Sequence, residues 1–179
     1  MLKSHTFLTR VAIIAVLACG IHALAQTSSQ PKVGYLPKDS IAHKDFRAIN
    51  GGDFSLSKMR GKVVVLDFFT TWCGHSKMQL PSMKKLYSDN QSGDLAMVGL
   101  AVEESDSTVA QFVKDNQIAY PVTTVSDPVF GEFVSSRNVS VPQTLVIARD
   151  GRVAAHYIGY NSDVANELSA VIARELAKR

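Results

Sequence analysis

Two stretches of the chain, residues 62–69 and 95–102, are almost continuously apolar and rich in β-branched side chains. Such runs are typical of strands that are buried on both faces of a sheet. Residues 144–148 and 152–158 form two further apolar runs, and the Asp-Gly pair at 150–151 between them is typical of a hairpin turn. The pattern therefore predicts two central strands and, later in the chain, a β-hairpin.

Apolar side chains recur at helical spacing between and after these strands. The four predicted helices are residues 73–88, a segment capped by Ser107, residues 127–137, and a segment that starts at Ser162 or Asp163 and runs to Lys178. Pro81 lies inside the first helix and predicts a kink there. The serine and aspartate residues are predicted caps because their side chains can accept hydrogen bonds from the free N–H groups of a first helical turn.

Two short apolar segments, residues 46–49 and 54–56, flank the sequence Asn-Gly-Gly-Asp and predict a hairpin at the start of the folded region. Residues 121–125 predict one more short strand. Strands that alternate with helices and end in a hairpin and a helix predict an α/β fold, with a central mixed sheet, helices on both faces and an N-terminal β-hairpin.

The N-terminal region has its own pattern. Within residues 1–25, a basic segment is followed by an apolar segment and then by Ala-Leu-Ala. This order is typical of a secretory signal peptide, so we expect an exported, periplasmic protein. An alternative is a lipoprotein signal, because the sequence Val-Leu-Ala-Cys would place a lipid anchor on Cys19. The polar residues 26–44 predict a lead-in to a single domain at residues 45–179.

Composition and charge limit the classes of function. The chain has 179 residues, of which 46% are hydrophobic and 20% charged, which is typical of a globular protein. Without Lys3 and Arg10 of the signal segment, the 19 basic residues become 17, against 16 acidic ones, so the net charge falls from +3 to +1. This balance gives no electrostatic basis for nucleic-acid binding. The only long apolar run lies in the signal segment, so no membrane span is predicted in the mature chain.

Cys73 is the one cysteine that remains after the signal segment, so no structural disulfide is predicted. It lies where the predicted strand 62–69 gives way to the predicted helix 73–88. The first turn of a helix has unpaired N–H groups and a partial positive charge, which lower the pKa of a thiol from about 8.5. His75 lies in the same turn and can add positive charge or a donor. Because the thiolate is the attacking species in disulfide exchange, this position predicts a nucleophile.

The region around Cys73 resembles the active site of thioredoxins. It reads DFFTTWCGHSKM from residue 67 to residue 78, and a proline follows the cysteine by eight residues. Residues 53–66 and the segment VSVPQTLVI at 139–147 resemble the exported TlpA/ResA-type branch of that family. The resemblance covers most of residues 45–179. It implies a thioredoxin fold, no cofactor, and thiol-disulfide exchange with cysteine-containing exported proteins or small thiols.

The resemblance also implies roles for residues around the cysteine. Asp67 stands where thioredoxins keep a buried acid that accepts the proton of a second active-site cysteine, and Trp72 stands where one side of the sulfur is shielded. In the family, the proline at the position of Pro142 is cis and faces the cysteine. The residue before it, here Val141, offers backbone hydrogen bonds to an extended substrate. Trp72, Gly74, Val141 and Pro142 form the implied partner-binding surface.

One residue departs from the family pattern. The second cysteine of the family, three residues after the first, is Ser76 here. A dithiol site resolves a mixed disulfide with its second thiol, which a serine hydroxyl cannot do. We therefore expect a monothiol mechanism, in which Cys73 forms mixed disulfides that another thiol resolves. Cys73, His75, Ser76 and Asp67 are the predicted catalytic set, with Ser76 able to donate a hydrogen bond to the thiolate.

The sequence leaves two other functions open. Thr70 stands three residues before Cys73, as in peroxiredoxins, which favours a thiol peroxidase, but Leu66 occupies the place of the accompanying proline. The chain also fits a redox-inactive thioredoxin-fold module that binds an extended peptide near Pro142. Cys73 and His75 are too few ligands for zinc, so no metal site is predicted.

Overall fold

The strand Val63–Phe69 forms the middle of the main sheet, and all seven of its residues are buried. Its sequence, VVVLDFF, suits this position because β-branched and aromatic side chains pack well on a pleated surface. In the computed structural model its odd-numbered apolar residues join one core cluster and its even-numbered residues join another. Asp67 is the exception, since it places a carboxylic acid in a strand whose other residues are apolar.

The structure describes residues 34–35, 45–134 and 139–178, which all belong to one unit of the chain, residues 31–179. The elements in chain order are β1 (Gly34–Tyr35), β2 (Asp45–Arg47), β3 (Asp53–Ser55), a 3-10 turn (Leu56–Met59), β4 (Val63–Phe69), α1 (Gly74–Asp89), β5 (Leu95–Val102), α2 (Asp106–Asp115), β6 (Val122–Val125), α3 (Asp127–Phe133), β7 (Gln143–Ile147), β8 (Arg152–Ile158) and α4 (Ser162–Ala177).

The main sheet has the strand order β1-β8-β7-β4-β5-β6. β4, β5 and β6 run parallel to one another, whereas β7 is antiparallel to β4 and to β8. β2 and β3 form a separate two-stranded hairpin. This arrangement confirms the predicted α/β fold with a central mixed sheet and an N-terminal hairpin.

Helices cover both faces of the main sheet, as predicted. On one face, the core includes Met83 of α1 and Ile172 of α4. On the other face, Phe130 and Phe133 of α3 pack against Phe68, with ring centroids 5.0 and 5.4 Å from the Phe68 ring. Because apolar side chains fill both faces, β4 is held from both sides and its C-terminal end has a fixed position.

The structure corrects two predicted helix caps. α2 is capped by Ser105, whose side chain accepts a hydrogen bond from a backbone N–H three residues later, and not by Ser107. α4 is capped by Asn161, and not by Ser162 or Asp163. In both places several neighbouring polar side chains can act as caps. In each helix the N-cap is the residue with extended backbone torsions, and this residue lies one or two positions before the predicted one.

The bounds of two other helices also differ from the prediction. α1 begins at Gly74 and continues through Pro81 to Asp89, with Cys73 as its N-cap. α3 ends at Phe133 instead of at residue 137, and residues 135–138 lie outside the described residues.

The N-terminal predictions fall mostly outside the described residues. The predicted signal peptide at residues 1–25, with Cys19, is not among them. Of the predicted lead-in at residues 26–44, the structure describes Gly34–Tyr35, which forms β1 and pairs antiparallel with β8. Within the part of the chain that the structure describes, no helix is both long enough and apolar enough to cross a membrane.

Gly99 of β5 lies beside Asp67 in the parallel ladder and has no room for a side chain. A Cβ atom there would lie 3.1 Å from atoms of Tyr120 and Val122 and 3.2 Å from the ring of Phe69. We expect Gly99→Ala to lower the free energy of unfolding by about 1–3 kcal/mol, because it overpacks a dense core. Urea denaturation measures this change.

Gly131→Ala in α3 is the matched control, because a Cβ atom at Gly131 would meet no atom within 4 Å. Alanine removes the extra backbone freedom of glycine from a helix, so we expect the free energy of unfolding to rise by about 0.5–1 kcal/mol. Equal effects of the two substitutions would contradict the packing described around Gly99.

Candidate functional site

Cys73 lies at the junction between the end of β4 and the start of α1. It has extended backbone torsions (φ −72°, ψ 123°) and is the N-cap of the helix. Its carbonyl accepts a hydrogen bond from the N–H of Lys77 at 3.1 Å, and its own N–H donates to the carbonyl of Thr70 at 3.3 Å. The cysteine thus stands at the N-terminus of a 16-residue helix, where the sequence predicts it.

The sulfur faces the loop that precedes β7. Cys73 Sγ donates a hydrogen bond to the carbonyl oxygen of Val141 at 3.4 Å. The peptide bond between Val141 and Pro142 is cis, as the resemblance to thioredoxins implies. Two segments that are 68 residues apart in the sequence therefore meet at this sulfur.

Burial and hydrogen bonding act in opposite directions on the thiol of Cys73. Burial raises its pKa, but the backbone N–H and the hydroxyl of Ser76 and the backbone N–H of His75 lower it, and the resulting pKa lies below the ordinary value. These groups belong to the first turn of α1, whose N–H groups have no acceptor within the helix. The thiolate therefore forms at a lower pH than in an ordinary cysteine, which makes this sulfur more reactive near neutral pH.

The residues next to Cys73 divide into exposed and buried side chains. Trp72 is 73% exposed, and Gly74 and His75 are also exposed, so His75 acts on the sulfur through its backbone N–H. Ser76, by contrast, is 6% exposed, and its hydroxyl forms no hydrogen bond with the described residues. This hydroxyl is a buried donor that remains available to a thiolate at Cys73.

Asp67 belongs to a buried hydrogen-bond network between β4, α1 and β7. Gln79 Nε2 donates to Asp67 Oδ1 at 2.8 Å and to Thr144 Oγ1 at 2.9 Å, and Thr144 donates to Asp67 at 3.5 Å. Neither Gln79 nor Thr144 is among the residues that the sequence predicts for this site. Gln79 is three residues after Ser76 and four before Met83, so its place on the buried stripe of α1 is a signal that could have identified it. No local pattern points to Thr144.

Burial raises the pKa of Asp67 to about 7, although the hydrogen bonds from Thr144 and Gln79 lower it. A cavity of about 10 Å³ lies beside it, lined by Asp67, Ser76 and Tyr120 together with apolar side chains. A cavity of this size holds at most about one water molecule. Burial, with a contribution from the charge of Asp67, raises the pKa of Tyr120. Below pH 7, all three polar groups are therefore neutral and can donate hydrogen bonds.

The structure does not favour a peroxidase. The hydroxyl of Thr70 is buried and forms no hydrogen bond with the described residues, so it does not bind the sulfur of Cys73. Within the described ranges, no group of three or more histidine, cysteine, aspartate or glutamate residues is arranged to hold a metal ion.

Comparisons with known proteins agree with this fold. A sequence model of the AhpC/TSA family matches residues 39–156. The thiol-disulfide oxidoreductase ResA of Bacillus thuringiensis is 29% identical over 160 residues, which cover 85% of this chain and 87% of the relative. A thiol:disulfide interchange protein of the thioredoxin family from Chlorobium tepidum superposes with a TM-score of 0.67 at 22% identity, over 83% of this chain and 98% of that one. A secreted disulfide oxidoreductase from Mycobacterium tuberculosis superposes with a TM-score of 0.60 at 20% identity, over 76% and 98% of the two chains. These structural likenesses confirm the predicted thioredoxin fold.

The raised pKa of Asp67 predicts that part of the stability depends on pH. The folded state keeps this proton up to about pH 7, whereas the unfolded chain releases it near 3.8. The folded state therefore binds more protons in this window, and its stability falls as the pH rises from about 4 to 7. We expect Asp67→Asn to remove this loss, which is on the order of 4 kcal/mol.

Urea denaturation of both proteins between pH 4.5 and 8 measures the effect. Other titrating groups are common to the two proteins, so the difference between their free energies of unfolding isolates Asp67. Parallel curves over this range would show that the carboxyl of Asp67 titrates normally in the folded protein.

Proposed function

This chain belongs to the AhpC/TSA family, and we propose that it carries out thiol-disulfide exchange with Cys73 as its single nucleophile. The observation that supports this most is the position of the Cys73 sulfur. It lies at the start of α1, where N–H groups of His75 and Ser76 and the Ser76 hydroxyl lower its pKa, and it faces Val141. The similar ResA protein is named a thiol-disulfide oxidoreductase, which supports the same reaction.

The proposed reaction has two exchange steps. The Cys73 thiolate attacks one sulfur of a substrate disulfide, forms a mixed disulfide and releases the other sulfur as a thiolate, which takes a proton from water. A second thiolate then attacks the substrate sulfur of the mixed disulfide, forms a new disulfide with it and releases Cys73 as a thiolate. Ser76 cannot supply this second thiolate, so it comes from a small thiol or a partner protein.

Ser76 and Asp67 support the nucleophile without a redox step of their own. The buried hydroxyl of Ser76 stabilises the Cys73 thiolate by donating a hydrogen bond. Asp67, with a pKa of about 7, carries no charge below neutral pH and does not oppose the negative charge of the thiolate.

The proposed partner surface contains exposed apolar side chains on the two segments that meet at the sulfur. Trp72, Met78 and Val139 are large apolar side chains with exposed fractions of 73%, 62% and 75%. Trp72 precedes Cys73 directly, and Met78 lies five residues after it in α1. Val139 lies two residues before Val141, whose carbonyl accepts the hydrogen bond of the sulfur. Apolar surface at this position favours a protein segment or another partly apolar thiol compound as the partner.

The backbone beside the sulfur suits an extended partner segment. The N–H of Val141 donates no hydrogen bond to the described residues. This donor can pair with the main chain of a cysteine-containing partner, in the manner of an added strand. Gly74 and Pro142 complete the proposed surface on the two sides of the sulfur, because both are next to residues that contact it.

We propose further that the protein is exported. Residues 1–25 act as a signal peptide in this proposal, and residues 26–44 lead into a domain at 45–179. The secreted Mycobacterium tuberculosis oxidoreductase has the same fold, which agrees with such a location. The mass of the mature protein distinguishes signal cleavage after residue 25 from a lipid anchor at Cys19.

The reaction of Cys73 with glutathione disulfide tests the proposed function. In a full chain with Cys19→Ser, Cys73 is the only thiol. We expect it to gain one glutathionyl group, with a rate that reaches half its maximum at a pH below the ordinary value of about 8.5. Mass spectrometry locates the adduct, and Cys73→Ser is the control without a thiol.

Two other outcomes of this experiment would contradict thiol exchange. Fast sulfenic acid formation at low peroxide concentration, without a glutathione adduct, would support a peroxidase instead. A Cys73 thiol that reacts with neither glutathione disulfide nor peroxide would support a redox-inactive binding module.

Replacing Ser76 by cysteine tests whether the site has thioredoxin geometry. Ser76→Cys places a second thiol three residues after the first, at a position that is 6% exposed. We expect this variant to catalyse insulin reduction by dithiothreitol at least about tenfold faster than wild type, because an intramolecular thiol resolves the mixed disulfide at high effective concentration.

Ser76→Ala is the matched control, since it removes the hydroxyl without adding a thiol. We expect no insulin reduction from it above the wild-type rate. If folded Ser76→Cys is as inactive as Ser76→Ala, the proposed geometry of the site is wrong.

A further inference from the structure

The carboxylate of Glu104 binds the residue that precedes Trp72 and Cys73. Glu104 Oε2 accepts a hydrogen bond from the backbone N–H of Thr71 at 2.7 Å. Glu104 Oε1 accepts another from the hydroxyl of Thr71 at 2.5 Å. Both oxygens of one carboxylate thus hold a single residue that is 33 positions away in the sequence. Hydrogen bonds to a charged acceptor are stronger than those between neutral groups, and two of them fix position and orientation together.

Glu103 sets the direction of Glu104. Its φ of +52° lies in the left-handed region, which is uncommon for a residue with a side chain. Its N–H donates to the carbonyl of Val125 at 2.9 Å, and its carboxylate accepts from the N–H of Asp127 at 2.6 Å. A residue keeps such a conformation only where its surroundings hold it. The turn after β5 is therefore anchored to β6 and to the start of α3.

The turn between β4 and α1 needs an anchor of this kind. The ladder between β4 and β5 ends at the pair Phe69 and Ala101, and the helix begins only after Cys73. Between these points, the bond from the N–H of Cys73 to the carbonyl of Thr70 lies within the turn itself. Among the described residues, the carboxylate of Glu104 ties this turn to the turn that follows β5.

We propose that Glu104 is a positioning residue for the thiol site. By fixing Thr71, it sets where the sulfur of Cys73 lies relative to the first-turn N–H groups of α1 and to Val141. Both of its oxygens are occupied by Thr71, so it acts through that residue and not as an acid or base on the sulfur. The effect on exchange rates rests on the proposed function, whereas the effect on the site's geometry does not.

Four substitutions in the full chain with Cys19→Ser test this proposal. Glu104→Ala removes both acceptors, and Thr71→Val removes only the hydroxyl donor. Glu104→Gln keeps an amide that can accept from the N–H of Thr71 and donate to its hydroxyl. Asp106→Ala is the matched control, because it removes a carboxylate of the same segment that accepts from the hydroxyl of Thr124 at 2.6 Å.

Two measurements on the folded proteins report on the site without a redox partner. The first is the rate of Cys73 alkylation by iodoacetamide as a function of pH. The second is the fluorescence anisotropy of Trp72, the single tryptophan of the chain. We expect Glu104→Ala to raise the pKa of the thiol, slow alkylation at pH 7 about three- to tenfold, and lower the anisotropy of Trp72. Thr71→Val should produce a smaller change in the same direction, Glu104→Gln should restore most of it, and Asp106→Ala should behave as wild type.

Wild-type alkylation and anisotropy in folded Glu104→Ala would overturn the proposal, and so would an equal effect of Asp106→Ala. If Glu104→Ala does not fold, Thr71→Val is the test. An alkylation pH profile and a Trp72 anisotropy in Thr71→Val that equal those of wild type would then overturn the proposal.

Exchange with glutathione disulfide, measured in parallel, separates this proposal from the proposed function. If wild type is alkylated by iodoacetamide with the expected pH profile but does not react with glutathione disulfide, the proposed function is contradicted. The effect of Glu104 on the thiol is then still supported by the alkylation data. Exchange at the wild-type rate in every variant contradicts the positioning role alone.

Discussion

The first turn of α1 has N–H groups without helical acceptors, and the sulfur of Cys73 lies where those of His75 and Ser76 lower its pKa. Burial of the same sulfur acts in the opposite direction, so the reactivity of the thiol depends on how closely these donors approach it. Such a balance requires a rigid joint between strand and helix. β4 provides one side of that joint, because all seven of its residues are buried and its two faces pack against different core clusters.

The buried network around Asp67 takes on a different meaning when the second cysteine is a serine. A buried ionised acid is useful beside a thiol that must lose a proton, but Ser76 loses none in the proposed reaction. With a pKa of about 7, Asp67 is neutral below that pH, and a neutral acid adds no repulsion to a thiolate nearby. Gln79 and Thr144 supply the hydrogen bonds that make a carboxyl group tolerable in the core. The network is therefore compatible with a site whose one redox group is Cys73.

Much of the fold and part of the site could be predicted from the sequence because the relevant signals are local. The apolar run of β4, the Asp-Gly turn before β8 and the cysteine at a helix start each occupy a few consecutive residues. The caps at Ser105 and Asn161 do not follow from the sequence, because neighbouring polar residues can also cap these helices and the backbone torsions decide between them.

The contacts that complete the site could not be predicted in this way. Gln79 and Thr144 meet across 65 residues, and Thr71 and Glu104 across 33. Their pairing follows from strand order, since β4 lies between β5 and β7 and so brings residues from both neighbours to its C-terminal end. The resemblance to thioredoxins points to Cys73 as the proposed nucleophile and to the cis proline, Pro142. The contact between Glu104 and Thr71 depends on three-dimensional neighbours and is not visible in a local motif. For a site with one thiol this distinction matters more than for a dithiol. In the proposed reaction no internal thiol resolves the mixed disulfide, so the approach of an external thiol to the half-buried sulfur of Cys73 governs how long a partner stays attached.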